Sequence, residues 1–138
     1  MGRTVENVKV QNFIDIFRAG TGELNPENVR TVEVQGLVDT GATYLCLPPS
    51  AIAQLGLPFS HWRNVKTANG AVDRRIFKAA DVTLLGRNEE MSVMENDEQT
   101  PPLIGYVVLE VLDFVVDPRS QKLIPNPEHG GKWMTDLY

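Results

Sequence analysis

Short apolar runs separated by turn residues recur along the chain, a pattern that predicts strands rather than long helices. Val5 to Gln11 alternates imperfectly between apolar and polar positions and reads as a first strand, with Phe13 to Phe17 as its continuation. Ala19 to Asn28 carries Gly20, Gly22, Asn25 and Pro26 and reads as a loop. Arg30 to Val38 is a strand that runs directly into Asp39, and Thr43 to Leu47 is another, stopped by Pro48-Pro49. Ser50 is placed to cap a short helix over Ala51 to Leu55, which Gly56 closes. Leu57-Pro58 then leads out into a loop.

The sharpest local signal is Val65-Lys66-Thr67-Ala68-Asn69-Gly70-Ala71-Val72. Asn-Gly between strand-like arms predicts a tight hairpin in which both turn residues adopt positive φ. Arg75 to Leu85 continues as strand, Gly86 to Glu89 turns, and Glu90 to Met94 returns. Glu95 to Pro102 is a polar loop ending in two prolines. Leu103-Ile104-Gly105 reads as a short buried strand and turn, and Tyr106 to Leu112 as a packed helix despite its valines. Phe114 to Val116 and Gln121 to Pro125 flank the Asp117-Pro118-Arg119-Ser120 turn as a last hairpin. From Asn126 to Tyr138 the chain is Gly- and Pro-rich and reads as irregular unless a partner chain orders it, with Trp133 and Tyr138 as candidate anchors.

A chain of 138 residues fits one domain, here residues 1–138, with a core over about 5–127 and an irregular tail over 128–138. No repeat of solenoid length occurs. No run of about 18 apolar residues exists, so no membrane partner is expected. The N-terminus lacks the apolar segment of a secretory signal. Gly2 follows Met1, but Asn7 stands where a myristoylation signal wants Ser or Thr. Cys46 is the only cysteine, so an intrachain disulfide is impossible and a cytoplasmic location is expected. His61 and His129 lie far apart and give no metal-site spacing, and neither a metal nor another cofactor is expected. The formal charge is −5, and no Lys/Arg block is present, so nucleic acid is not an expected partner.

Leu37-Val38-Asp39-Thr40-Gly41-Ala42 carries the candidate chemistry. Two apolar residues deliver Asp39 out of a packed strand, and Gly41 allows a tight turn that a residue with Cβ would resist. Backbone N–H groups of such a turn can point back at the carboxylate and hold it. An aspartate posed in this way suits acid–base chemistry on water. Asp-Thr-Gly is also an ordinary turn tripeptide, so the segment alone leaves both readings open.

Three features occur in order: the apolar-apolar-Asp-Thr-Gly-Ala turn at 37–42, the Asn69-Gly70 hairpin, and Leu103-Ile104-Gly105 followed by a helix. This order resembles the retroviral-type (retropepsin-like) single-lobed aspartic proteases. The stretch from Gly105 to Pro118 is similar to their small stand-alone bacterial members. The resemblance spans roughly residues 30 to 127. It implies an all-β fold, a small closed acid-protease-type β-barrel with one or two short helices. It further implies that Asp39 is the catalytic aspartate and that the hairpin with Ala68, Asn69, Gly70 and Ala71 at its tip is a flap that closes over substrate. The late apolar-apolar-Gly segment would cross near the first turn. By the same resemblance Thr40 bonds across a dimer axis, Gly41 keeps the turn tight, and Ala42 stands where two-lobed acid proteases often place serine. Losing that hydroxyl removes a hydrogen bond to the ionised form, so an activity optimum at weakly rather than strongly acidic pH is expected.

Peptide hydrolysis without a metal or covalent intermediate needs two carboxylates sharing one proton. This chain has a single Asp-Thr/Ser-Gly, and none of Asp15, Asp73, Asp81, Asp97, Asp113, Asp117 and Asp136 sits in a comparable turn. The second carboxylate must then come from another copy, which a two-fold dimer supplies. The expected function is an aspartic endopeptidase acting as a homodimer on extended peptide or protein substrates. The alternative is a catalytically silent dimeric binding module on the same fold. Cys46 reads as a buried small hydrophobe, and no Gly-x-Ser-x-Gly elbow exists for a serine hydrolase. Arg74-Arg75 reads as a solvated flap edge, with a contact to substrate acids as the other reading.

Overall fold

Apolar alternation in the first strand becomes one wall of a barrel. In β1 (Val5–Asn12) the buried positions are Val8, Val10 and Asn12, the spacing expected when one strand face packs and the other does not. The computed structural model describes residues 3–137; the readings made at Gly2 and Tyr138 lie outside the described residues. β1 pairs antiparallel with β2 (Thr31–Val38) on one side, and on the other with the distal half of β5 (Gly70–Leu84). The ring continues from β2 to β7 (Leu103–Ile104), β3 (Leu45–Leu47), β6 (Arg87–Glu95) and back to β5. The β2–β7 and β3–β6 pairs are parallel and the others antiparallel. β4 (Phe59–Thr67) pairs with β5 outside this ring. The fold is therefore the expected all-β closed barrel, and closure leaves few open sheet edges.

Its core gathers Val8, Val10, Leu45, Leu47, Val82, Leu84, Val93 and Ile104, all fully buried. Each contributes about 1.5–3 kcal/mol by leaving water. α2 (Pro49–Leu55) and α3 (Tyr106–Leu112) cover it through Ile52 and Leu55, and through Val108 and Leu112. The long strand β5 serves two purposes because it bends. Its register against β6 shifts between Phe77 and Ala80, and Ala79 takes a left-handed φ of 62°. Such a bulge kinks a strand, here separating barrel wall from protruding hairpin.

Phe13 to Phe17 does not prolong β1. The Asn12 side chain accepts a hydrogen bond from the Asp15 N–H at 3.0 Å and starts α1 (Phe13–Gly20). Asp15 then turns inward, where Arg30 grips it with Nε at 2.8 Å and Nη2 at 3.0 Å. Phe13, Ile14 and Phe17 remain exposed. The apolar content that imitates a strand is thus on the outside, and the described residues form three short α-helices where one or two are expected. Ser50 does not cap α2 either: Pro48 holds the cap position and Pro49 opens the helix. The Ser50 N–H and hydroxyl both donate to the Glu98 carboxylate instead, at 2.6 and 3.0 Å. Gly56 closes α2 in the left-handed conformation as expected.

Two turns fall earlier than the sequence predicts. Ala68 and Asn69 form the β4–β5 turn, Thr67 pairs with Gly70, and of Asn69 and Gly70 only Gly70 has positive φ. Thr67 fixes this register, since its hydroxyl donates to the Gly70 carbonyl at 2.6 Å and accepts from the Asn69 N–H. Leu85 and Gly86, both at positive φ, turn β5 into β6, so Gly86 to Glu89 is not the turn. β3 begins at Leu45 rather than Thr43 because the Thr43 carbonyl accepts from Val107 N–H at 3.1 Å. After the hairpin of β8 (Phe114–Asp117) and β9 (Lys122–Pro125), the tail is mostly irregular, but contacts within its own chain hold it. The Trp133 indole donates to the Val111 carbonyl at 2.9 Å, and Arg87 stacks on the Phe114 and Trp133 rings.

Candidate active site

Three chain segments meet in one hydrogen-bonded frame around Asp39. Leu37 and Val38 pair with Leu103 and Ile104, and the Asp39 N–H continues that ladder to the Ile104 carbonyl at 3.0 Å. The Ala42 N–H then closes the turn on the Asp39 carbonyl at 3.0 Å. The Gly41 N–H donates to Asp39 Oδ1 at 2.9 Å. A Cβ at Gly41 would stand 3.2 Å from that oxygen, so glycine leaves the carboxylate uncrowded. From the other side Tyr106 N–H donates to the Ala42 carbonyl at 2.9 Å. Gly105 is required here by close approach: a Cβ would lie 2.6 Å from the Thr43 carbonyl oxygen and collide with that of Tyr44. The Leu103-Ile104-Gly105 segment thus crosses beside the first turn.

An open cleft of about 520 Å³ lies over this frame. Asp39, Gly41 and Ala42 line its floor; Arg63 to Thr67 of β4 and Arg74 of β5 line it from the hairpin. Asp39 is half-buried and faces this space. Thr40 is exposed and does not line the cleft. Ala68, Asn69, Gly70 and Ala71 sit at the exposed hairpin tip beyond the lining. The structure therefore brings together the floor residues and the hairpin's arms, and leaves the tip standing away. Tyr44, Asn96 and Met94 also line the cleft, and no local pattern in the sequence marks them. Trp62 is largely exposed and lines a neighbouring hollow instead.

Cys46 is buried beneath the cleft. Burial pushes its thiol up to about 12, and the nearby Asp39 charge adds to the shift. A thiol held so far above neutral pH is not a nucleophile. The Arg74-Arg75 pair is divided by strand alternation: Arg75 turns from the cleft to a bidentate bond with Glu95 at 2.8 and 2.7 Å, while Arg74 lines the cleft. Among the described residues no three His, Cys, Asp or Glu side chains converge as a metal site requires, and no helix is long and apolar enough to cross a membrane.

A family model of aspartyl proteases matches residues 23–108. The match takes in the Asp39 turn, the β4–β5 hairpin and the Gly105 crossing. No curated protein matches the chain. The matched span covers more than half of the sequence and includes every segment that builds the cleft, and the protein belongs to the aspartyl protease family, of the retropepsin-like kind.

Proposed function

We propose that the protein is an aspartic endopeptidase in which two copies of Asp39, one from each subunit of a homodimer, activate water against an extended peptide. The observation that carries this reading is the pose of Asp39. One carboxylate oxygen is fixed by the Gly41 N–H at 2.9 Å; the other has no hydrogen-bond partner among the described residues, and the side chain lines an open cleft. Thr40 supports the dimer: it is exposed beside this turn, and its hydroxyl has no partner among the described residues of its own chain.

The chemistry follows from two like charges in close quarters. Two anionic carboxylates at close range repel each other, so the pair holds one proton between them. The ionised Asp39 takes a proton from water as the water oxygen attacks the scissile carbonyl. The protonated Asp39 of the second copy donates to the carbonyl oxygen. The proton taken from water then passes to the leaving amine as the C–N bond breaks, and a hydroxyl of the collapsing intermediate returns its proton to the second Asp39. An extended peptide between the hairpin and the floor is held through its main chain in the manner of an added strand. Hairpin closure, bringing the 68–71 tip over the substrate, would exclude bulk water.

Cleavage of a diverse peptide library by wild-type and Asp39→Asn protein tests this reading, together with inhibition by a statine-type peptide. Wild-type cleavage and a loss of about 10³-fold or more in the variant are expected. Undiminished cleavage by Asp39→Asn contradicts the dyad. With Ala42 offering no hydroxyl, the rate should peak at weakly acidic pH; a maximum below about 3, under the range of a free aspartate, contradicts that expectation.

A further inference from the structure

Charge in the cleft runs against charge in the protein. The chain carries 18 acidic and 13 basic residues, yet among the described residues Asp39 is the one carboxylate lining the cleft, which Arg63, Lys66 and Arg74 line from the hairpin. Elsewhere Arg18 pairs with Glu23, Arg30 with Asp15 and Arg75 with Glu95, while Lys9, Lys78, Arg87, Arg119, Lys122 and Lys132 form no ion pair among the described residues. None of the three cleft cations forms an ion pair among the described residues. Arg63 and Arg74 are also direct cross-strand partners in the β4–β5 ladder, an arrangement in which like charges oppose each other and destabilise the pair.

One contact places Arg63 over the floor. The Arg63 guanidinium lies 5.8 Å from the centre of the Tyr44 ring, which itself lines the cleft just beyond the Asp39 turn. Arg74 lines the same cleft as Asp39 and Cys46. Arg74 has one weak hydrogen bond, to the Asp73 carbonyl at 3.5 Å. Of the three acids in the hollow on its other side, Asp97 accepts from the Thr100 N–H and hydroxyl at 2.8 and 2.7 Å, Glu95 is held by Arg75, and Asp73 accepts from Asn64 Nδ2 at 3.0 Å. Arg63 Nη2 lies 3.5 Å from His61 Nε2; neither arginine is held by a carboxylate among the described residues, and the guanidinium fork matches one.

We propose that Arg63 and Arg74 form a subsite for a glutamate or aspartate side chain of the bound peptide, with Lys66 adding attraction, so that acidic peptides are the substrate class. This rests on the reading of the cleft as a peptide site. A nucleic acid is less suited, because its affinity comes from a run of phosphate contacts, whereas these cations sit on one hairpin of an acidic protein. The subsite also disfavours lysine and arginine in the same position, since an unpaired like charge there is repelled.

Peptides carrying glutamate or glutamine at successive positions around the scissile bond provide the test. Wild-type protein should cleave the glutamate version at one position with kcat/KM about tenfold higher, equivalent to about 1.4 kcal/mol, and salt should shrink the advantage. Arg63→Gln with Arg74→Gln should bring the ratio to about one, Arg74→Glu should turn preference toward a lysine version, and Lys122→Gln on β9 should leave the ratio untouched. Circular dichroism checks that each variant is folded. Binding of the same peptides to Asp39→Asn protein, read by fluorescence anisotropy, separates the two claims. Tighter binding of the glutamate peptide without any wild-type cleavage sinks the protease reading and keeps the subsite. Equal cleavage of both versions at every position overturns the subsite and keeps the protease. The subsite is also overturned by an acid preference that survives the double substitution, by an oligonucleotide that displaces the peptide at far lower concentration, or by failure to bind or cleave either peptide.

Discussion

Asp39 leaves the end of β2 and Asp113 leaves the end of α3, and the two carboxylates come to rest in opposite surroundings. Asp113 is buried and fully engaged: His129 Nδ1 lies at 2.6 Å, Asn126 Nδ2 at 3.1 Å and the Met134 N–H at 3.1 Å. Burial alone would push its carboxyl up, but bonds from His129, Met134 and Asn126 together hold it below the usual carboxylate range. Asp39 keeps a single intrachain side-chain bond, from Gly41, and faces a cleft. A buried carboxylate that accepts three hydrogen bonds fastens structure; one left open to water and ligand is available for chemistry. The same residue type, each time at the end of an element, is divided between these tasks by its partners.

Exchange of each carboxylate for an amide breaks the comparison most sharply. Asp39→Asn should remove peptide cleavage by about 10³-fold or more and leave Tm unchanged. Asp113→Asn should do the reverse, lowering Tm by several degrees while the folded fraction still cleaves. Equal effects on both properties in either variant would dissolve the distinction. Next in size is Gly105→Ala. Its Cβ would push into the Thr43 and Tyr44 carbonyls, backbone that cannot move without parting β7 from the Asp39 turn. A loss of about 3 kcal/mol in denaturant unfolding is expected, with activity falling alongside because the crossing supports the floor.

The smaller effect is a pH dependence confined to the Asp113 side. Hydrogen bonding to Asp113, with Asp136 adding to it, raises His129 above its usual 6.5. Its contribution is complete below 6.5 and fades as pH rises through the raised value. Asp113, lowered from 3.8, contributes fully above 3.8 and loses its contribution as pH falls through the lowered value. Tail docking, followed by Trp133 fluorescence, should therefore be tightest between 3.8 and 6.5 and loosen as pH rises through the raised His129 value. His129→Gln should remove that upper limb. A flat profile in wild-type protein would show that the tail is held by Arg87 and packing alone.

The sequence exposes Asp39 and conceals Asp113 for a physical reason. The Asp39 turn, Gly41 and the β4–β5 hairpin are local: residues a few positions apart dictate them, so Leu-Val-Asp-Thr-Gly and Asn-Gly can be read directly. Asp113 takes its meaning from His129 and Met134, which only the folded chain brings near. The same holds for α1, where Phe13, Ile14 and Phe17 imitate a strand until Asn12 caps the helix and Arg30, distant in sequence, captures Asp15. It holds for the cleft as well. Arg63 and Arg74 face each other only once Thr67 sets the hairpin turn one residue earlier than Asn-Gly alone predicts.

Mixing wild-type with Asp39→Asn protein at constant total concentration, after subunit exchange, tests the central claim most directly. If each active site needs one Asp39 from each of two copies, an equal mixture leaves about a quarter of the wild-type activity, and activity follows the square of the wild-type fraction. A linear fall to about one half, the result for independent sites, would show that one subunit's carboxylate suffices and would contradict the account.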